Sequence, residues 1–326
     1  MPKTRWAVLG PGAISRDFVV GLRASQHGVL HAVGSSSAER AAAFAAEHGA
    51  EWAGSYDDVL GRDDVDAVYV GTVHITHAEL AIRALEAGKA VLCEKPASPT
   101  IDDVERILET AGRTGRPFLE AFKTRFGPFS DALTELVSGE QLGAATSLQA
   151  SSGFAAGSRD GRLFDPDLAG GAILDMGCYP IALAVQVAAA AGQPLDSPVL
   201  AGCEAELVGG VDGSAAAEFT FGSVTANVGT SILRVMPRSA RVTFAEAEVL
   251  LPEAWGSRTR SAGTLIVRHG NDETRIEVPV VQPMSAEADA ISLALAEGRL
   301  EVPEMPWSHT RAVARALSDW RAAALR

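Results

Sequence analysis

Residues 5–15 of the chain read RWAVLGPGAIS, and this stretch decides the fold. Its first five residues predict a short buried strand, and the spacing of apolar residues over 18–22 predicts an amphipathic helix after the glycine turn. In this arrangement the free N–H groups at the helix start can bind the pyrophosphate of a dinucleotide. We expect cofactor contacts from four residues of the turn: Gly10, Gly12, Ala13 and Ile14.

Ser15 stands where the usual fingerprint has its third glycine. A serine is small enough for close packing of helix on strand, but the departure weakens the motif when it is taken alone. Glycine turns between a strand and a helix are also common in proteins that bind no dinucleotide. The interpretation therefore depends on the elements that follow.

Strands and helices alternate after this turn. Strand patterns at 29–34, 65–70, 90–92 and 117–122 are separated by helical patterns at 38–48, 78–87 and 100–111. Ser37 is predicted to cap the first of these helices. The alternation predicts a doubly wound parallel sheet, whose ligands lie beyond the carboxyl ends of its strands. Such ends carry Gly10, Ser35, Thr72 and Glu94.

Beyond Gly143 strand-like runs follow one another with few helices between them. The runs lie at 145–154, 199–208, 215–221, 224–232, 240–251, 264–269 and 274–281. They predict a large, open and mostly antiparallel sheet, interrupted by a helix over about 171–191 and closed by helices over 286–297 and 308–325. The predicted fold class is α/β: an N-terminal Rossmann domain, residues 1–122, followed by an α+β domain for substrate binding and oligomerisation, residues 123–326. A site in such a protein is expected in the cleft between the domains.

Composition limits the possible partners. The 326 residues are 47% hydrophobic and carry a formal net charge of −13, so like charge disfavours nucleic acid and anionic membranes. The apolar run 181–191 is too short for a bilayer span, and the N-terminus lacks a signal-peptide pattern, which favours a cytoplasmic protein. The three widely spaced cysteines predict neither a zinc site nor a disulfide.

Two places combine residues suited to proton transfer. Lys95 and Glu94 follow the buried strand ending at residue 92, while Asp175 and Tyr179 stand four residues apart on the predicted helix after Gly170. A spacing of four places both side chains on one helix face, which Pro180 is expected to disturb. The competing interpretation is a surface-paired aspartate, a buried tyrosine and a solvated loop lysine.

In these motifs the chain resembles the Gfo/Idh/MocA oxidoreductase family, in the branch of dimeric dihydrodiol dehydrogenases and NADP-dependent D-xylose dehydrogenases. The resemblance covers about half of the chain, in family order. The matching segments are residues 10–15, 72–77, 89–96, 120–122, 125–128, 162–164 and 170–180.

The resemblance implies that Lys95 and Tyr179 flank the substrate carbon that faces the nicotinamide. Hydride removal from an alcohol carbon requires the hydroxyl proton to leave, and a nearby positive charge favours a phenolate as its acceptor. Tyr179 is therefore assigned as proton acceptor and Lys95 as its electrostatic partner, although the two roles can be exchanged. Asp175 is assigned to orienting Lys95 or binding a second hydroxyl. Further cofactor contacts are assigned to Glu94, Lys95 and Arg162.

No acid follows the second strand until Glu39, whereas NAD-preferring folds usually place one near that strand end. Ser35 and Ser36 can bond a 2′-phosphate and Arg40 can supply charge, which favours NADP, with NAD possible if the serines form only a turn. His74 and His77 lack partners for a metal set, so they are assigned to the cofactor loop and no metal is expected.

The predicted substrate is a sugar or cyclic polyol. Lys123 places a cation near the expected pocket, and a cation there suits a hydroxyl-rich substrate better than an aromatic ring. The alternatives are a trans-dihydrodiol dehydrogenase, a non-catalytic NADP-binding regulator, and a hydride-assisted glycoside hydrolase or lyase. The second domain's open sheet predicts a homodimer or higher homo-oligomer.

Overall fold

The structure is a computed structural model that describes residues 2–326. Within that range the α-helices are α1 Ala13–Ala24, α2 Ala38–His48, α3 Tyr56–Leu60, α4 His74–Glu86, α5 Ile101–Thr114, α6 Pro128–Ser138, α7 Cys178–Ala190, α8 Pro283–Glu297 and α9 Trp307–Ala324. The strands are β1 Thr4–Leu9, β2 Gly28–Gly34, β3 Trp52–Gly54, β4 Ala67–Val70, β5 Ala90–Glu94, β6 Phe118–Ala121, β7 Ala145–Gly153, β8 Val199–Val208, β9 Val211–Phe221, β10 Val224–Ser231, β11 Ala240–Phe244, β12 Ala247–Leu251, β13 Thr264–His269 and β14 Asp272–Glu277.

The first sheet is parallel throughout and has the strand order β3-β2-β1-β4-β5-β6. Its central strands β4 and β5 are buried at every position, because helices cover both faces of a doubly wound sheet. The predicted Rossmann fold is confirmed. The sequence patterns missed β3 and α3, which are only three and five residues long.

The second sheet has eight strands in the order β14-β13-β12-β11-β7-β10-β9-β8. Among the described residues 2–326, the β7–β10 pair is the only parallel pair of this sheet, so the prediction of a mostly antiparallel sheet is confirmed. One correction concerns the predicted single strand over 240–251. It is a hairpin of β11 and β12.

The chain divides into two compact units, and the first of them takes up a late segment, residues 282–307, in addition to residues 1–98 and 102–123. In that segment, α8 packs so closely on α1 that a Cβ placed on Gly21 would lie 2.6 Å from Cβ of Met284. Asp289 accepts hydrogen bonds from Ser25 Oγ at 2.5 Å and His27 N at 2.9 Å. The division of the chain into two domains after residue 122 stays a proposal. It must be extended so that residues 282–307 belong to the first unit.

The helix predicted over 171–191 is two elements. A π-helical segment, Ile173–Gly177, precedes α7, and Pro180 falls in the first turn of α7, where its missing N–H costs least. The longer stretch Pro166–Ala190 is long and apolar enough to span a membrane, but 83% of its most apolar window is buried inside the fold. That burial is typical of a core helix.

Candidate active site

The glycine turn after β1 is held by backbone and side-chain bonds. Gly10 has φ +88° and donates its N–H to Gly34 O at 3.0 Å, while a Cβ on it would lie 2.5 Å from Thr72 Cγ2. The hydroxyl of Ser15, fully buried, donates to Gly10 O at 2.6 Å. Ser15 therefore does more than keep the position small, because it ties the first turn of α1 to the glycine turn.

The start of α1 fits the pyrophosphate that such a turn binds. Among the residues that the structure describes, no side chain caps this helix and no acid lies in its first turn, so its N–H groups and positive dipole end are left for an anion. A Cβ on Gly12 would have Gly71 O, at 4.0 Å, as its nearest neighbour within that radius. The space that a side chain would fill is thus open to a ligand.

The end of β2 presents hydroxyls and a guanidinium together. Ser37 caps α2 by accepting from Arg40 N at 3.3 Å, as its sequence position predicts. Arg40 Nη2 lies 3.1 Å from Ser36 Oγ, and both residues are exposed. Ser35 is buried and its hydroxyl accepts from Ser37 N at 3.1 Å, so it shapes the turn.

His77 connects two loops of the first unit. Its Nδ1 lies 2.8 Å from Pro96 O, its Nε2 lies 3.2 Å from Thr72 O, and its side chain is almost wholly buried. A neutral imidazole donates from one nitrogen only, whereas a protonated one can donate to both carbonyls. His74 packs edge-on against it, with ring centroids 5.8 Å apart. The two histidines therefore support the loops that carry Thr72 and Lys95.

The loop after β5 is tied at three successive residues. Glu94 Oε2 accepts from Lys95 N at 3.3 Å, the Pro96 carbonyl meets His77, and Glu120 Oε1 accepts from Ala97 N at 2.9 Å. The other oxygen of Glu94 accepts from the hydroxyl of Tyr69 at 2.7 Å. Lys95, which is half-buried, is thus presented on a loop with little freedom.

Glu287 of α8 is a buried carboxyl that the sequence patterns did not single out. It is 1% exposed, and its Oε1 has no hydrogen-bond partner among residues 2–326. Burial and then the charge of Glu94 raise the pKa of Glu287 well above its ordinary value, against the opposing effect of Lys123. An acid inside the pattern of α8 was the available signal.

In the second unit, Asp175 and Tyr179 lie at the start of the α7 region. Asp175 is buried, and its Oδ1 accepts from Arg162 Nη2 at 2.8 Å. Tyr179 is half-buried, with its ring centroid 6.1 Å from that of Trp255. The indole of Trp255 is fixed because its N–H donates to Ser151 O at 2.8 Å. The structure therefore brings Asp175 together with Arg162, and Tyr179 together with Trp255.

Two neighbouring cations of the sequence differ in surroundings. Lys123 is about nine-tenths buried in the first unit, where its charge lowers the pKa of Glu287 against the stronger effects of burial and Glu94. Arg125, in the second unit, lies 3.0 Å from His309 Nδ1 through its Nη2. Burial, then the Arg125 charge, lowers the pKa of His309 to about 4, so this ring is neutral at pH 7. Within residues 2–326 no group of three or more His, Cys, Asp and Glu side chains is placed to hold a metal ion.

The parallel sheet, the open glycine turn and the polar strand ends define a dinucleotide-binding protein. The sequence profile described as "Oxidoreductase family, NAD-binding Rossmann fold" matches residues 4–122, and that of the GFO/IDH/MocA C-terminal domain matches residues 131–249. The chain belongs to the Gfo/Idh/MocA oxidoreductase family.

Similar proteins of this family extend over the whole chain. A trans-1,2-dihydrobenzene-1,2-diol dehydrogenase of Xenopus tropicalis is 29% identical over 97% of this chain and 96% of its own. A D-xylose 1-dehydrogenase (NADP(+)) of Hypocrea jecorina is 25% identical over 97% of this chain and 90% of its own. A 3-ketoreductase from Actinomadura kijaniata, solved with NADP and TDP-benzene, superposes with a TM-score of 0.87 at 24% identity, over 99% of this chain and 98% of that one. That superposition confirms the fold.

Proposed function

We propose that the protein is an NADP-linked dehydrogenase that transfers hydride between a CH–OH group of a sugar or cyclic polyol and the nicotinamide. The observation that carries the proposal is the loop of Lys95, tied at residues 95, 96 and 97 at the carboxyl end of β5. A fixed ammonium at this edge suits proton chemistry beside a nicotinamide. A non-catalytic regulator has no need of such a group.

When bound, the cofactor supplies the hydride acceptor. The residues of this chain then have to move one proton, since the carbinol hydroxyl must lose it as the hydride leaves. Tyr179 is assigned as its acceptor and Lys95 as the positive group that favours the phenolate, with the exchanged assignment as the second candidate. Asp175, paired with Arg162, is assigned to a substrate hydroxyl or to orienting Lys95.

NADP is favoured over NAD by the exposed pair of Ser36 and Arg40, whose side chains lie 3.1 Å apart at the end of β2. A guanidinium beside a hydroxyl suits a 2′-phosphate. Arg40→Ala is expected to weaken NADP binding about 10- to 100-fold and to leave NAD binding within twofold. Arg106→Ala, an exposed arginine of α5, is the matched control, and an equal loss for both cofactors would contradict the assignment.

The substrate has two candidates. The relatives named as D-xylose and dihydrodiol dehydrogenases support a sugar or an aromatic trans-dihydrodiol, respectively. Because Lys123 is buried, it no longer supports a hydroxyl-rich substrate. Trp255, which lies beside Tyr179, favours the dihydrodiol as the alternative, because an aromatic side chain suits an apolar ring. A sugar remains the first candidate, because the charged side chains of Asp175 and Arg162 suit hydroxyl groups.

The test is NADPH formation over a panel of aldoses, cyclic polyols and trans-dihydrodiols, with the variants Tyr179→Phe and Tyr56→Phe. Tyr179→Phe is expected to lower kcat about a thousandfold with NADP affinity within twofold, because it removes the proton acceptor alone. Tyr56→Phe, a half-buried tyrosine in α3, is the control. Wild-type turnover in the Tyr179 variant would end the assignment, and NADP binding with no turnover on any substrate would favour a regulator.

A homodimer and a cytoplasmic location are proposed alongside. β8 forms one edge of the second sheet and is mostly exposed along its length, with Val199 and Leu207 each at least half exposed. A second copy covering this surface would remove an exposed sheet edge from water. Sedimentation equilibrium that yields the mass of a single chain at micromolar concentration would contradict the dimer.

A further inference from the structure

Asp212 stands near the start of β9, where the strand is irregular. Its register partner on β8 is Leu207, while the next pair along the ladder is Ser214 with Glu206, so Gly213 is an extra residue in β9. Such bulges redirect neighbouring side chains. Asp212 is completely buried, although its residue type is rarely found inside a protein without a partner.

The carboxylate of Asp212 holds the backbone at which the helical region begins. Its Oδ2 accepts from Ile173 N at 2.6 Å, while its Oδ1 is buried with no hydrogen-bond partner among residues 2–326. Gly171 has φ +115°, and a Cβ there would lie 2.1 Å from Asp212 Oδ1, so the carboxylate occupies that space. The hydroxyl of Thr230 lies 3.1 Å from both Ala172 O and Ser152 O, so its one hydrogen serves these two carbonyls.

What this backbone carries is the candidate chemistry of the second unit. The π-helical segment that starts at Ile173 contains Asp175, and Tyr179 is the second residue of α7 directly after it. A π-helical turn lacks the regular bonding of an α-helix, and such turns occur frequently at functional sites. The position of Asp175 and Tyr179 therefore depends on how firmly the segment is anchored at its first residues.

We infer that Asp212 is a positioning residue, whose charge anchors the start of the π-helical segment and so sets the place of Asp175 and Tyr179. The inference rests on the proposed role of Tyr179 for its effect on turnover, but not for its effect on structure. Asp212 does not touch the reacting groups. It acts through the backbone at residue 173.

The charge on Asp212 changes within an accessible pH range. Burial raises the pKa of Asp212 to about 6, against the opposing effects of the hydrogen bond from Ile173 N and of the charge of Arg321 on α9. The other charged groups of the held segment are Asp175 and its partner Arg162, whereas β10 offers hydroxyls, such as Thr230. Protonation relieves the larger cost of burying the charge, so the fold as a whole is more stable below pH 6. It also removes the charge-assisted part of the hydrogen bond from Ile173 N, so the start of the π-helical segment is held less firmly there.

The first test is the pH profile of kcat/KM for wild type, Asp212→Asn and Asp272→Asn. Asp272 is an exposed aspartate in β14, at the other edge of the sheet. For wild type and the control, kcat/KM is expected to fall at least tenfold as the pH is lowered, with a midpoint near pH 6. Asp212→Asn is expected to be about 10- to 100-fold slower at pH 8, to lack that midpoint, and to bind NADP within twofold of wild type. An acid limb of unchanged midpoint and amplitude in Asp212→Asn would overturn the inference.

The second test needs no turnover. With 5-fluorotryptophan incorporated, the ¹⁹F resonance of Trp255, assigned by loss of its signal in Trp255→Phe, reports on the surroundings of Tyr179. We expect a shift with midpoint near pH 6 in wild type that is absent in Asp212→Asn. A Trp255 signal constant between pH 5 and 7 in wild type overturns the inference even if the variant fails to fold. A titrating signal in a protein without turnover would instead retain the anchor and refute the proposed function.

Discussion

The two units each contain a helical region that starts at glycines, and the two starts are used in opposite ways. At Gly12 the space that a side chain would fill is open, and no acid lies in the first turn of α1. At Gly171 the same kind of space is occupied by the protein's own carboxylate, Asp212. The N–H groups of a helix start need a hydrogen-bond acceptor in either case, and the helix dipole favours a negatively charged one. One unit leaves that partner to a ligand, and the other supplies it to fix its own backbone.

This difference explains how similar glycine pairs serve binding in one place and positioning in another. An open start costs some helix stability until an anion arrives, whereas an occupied start is complete without a ligand. A glycine pair before a helix is thus no guide to function until the groups facing it are known. The deciding residue for Gly171 lies about forty residues downstream, on another strand.

The largest expected effect comes from placing an acidic side chain at the open start of α1. Gly12→Asp puts a side chain and a negative charge where the pyrophosphate is expected, so NADP affinity should fall roughly a thousandfold, about 4 kcal/mol. Calorimetric titration with NADP measures it. Gly112→Asp, at an unobstructed glycine of α5, controls for the added charge, and comparable affinities in the two variants would refute the assignment of the turn.

The occupied start should respond in stability instead of affinity. Gly171→Ala combines a left-handed backbone with a clash against Asp212, for a loss of about 3 to 4 kcal/mol in the free energy of unfolding. Gly192→Ala separates the two causes, because Gly192 has φ +70° with no atom within 4 Å of a new Cβ. It should cost about 1 kcal/mol. Equal losses in urea denaturation would mean that the clash has no effect.

The carboxyl group that faces the occupied start, Asp212, also titrates. The pKa of Asp212 is about 6 in the folded chain against an ordinary value of 3.8, so the folded state binds the proton more tightly. Its contribution to stability is present below pH 3.8 and is lost as the pH rises through 6, by about 3 kcal/mol.

Asp212→Asn has no such proton to lose. The difference in unfolding free energy, variant minus wild type, should therefore rise by about 3 kcal/mol between pH 4 and pH 7 in denaturant titrations. A difference that stays constant over this range would show that Asp212 does not change its charge there.

The smallest effect concerns the bond that closes the open turn. Ser15→Ala removes the hydroxyl that donates to Gly10 O, which should lower the unfolding free energy by about 1 kcal/mol and weaken NADP binding a few-fold. Ser15→Gly restores the usual fingerprint but adds the helix cost of glycine, so it should be the less stable variant. If it binds NADP better than wild type, the serine only fills a glycine position.

Propensity and periodicity in the sequence predicted those parts of the fold that depend on residues close together in the chain. The Rossmann alternation, the cap at Ser37 and the exact bounds of β8 and β13 follow from propensity and periodicity. The turn that splits the predicted strand over 240–251 was missed, because residues 245–246 carry no glycine or proline.

The site could be predicted only where a motif names it. Gly10, Ser36, Lys95 and Tyr179 stand in recognisable patterns, and their roles stay predictions. Asp212 and Glu287 were not predicted, since nothing in the local pattern separates them from the other acids of β9 and α8 and the groups that surround them lie far away in sequence. Long-range packing decides whether such an acid is buried, and periodicity cannot report it.

The return of α8 to the first unit has a consequence for how the protein is made. Gly21 is packed by Met284, and residues 25–27 are hydrogen-bonded to Asp289, so the N-terminal sheet acquires one of its covering helices from residues 283–297. A nascent chain halted after residue 122 would expose the apolar surface that α8 covers. Completion of the Rossmann unit during synthesis must therefore wait until the ribosome has translated past residue 297.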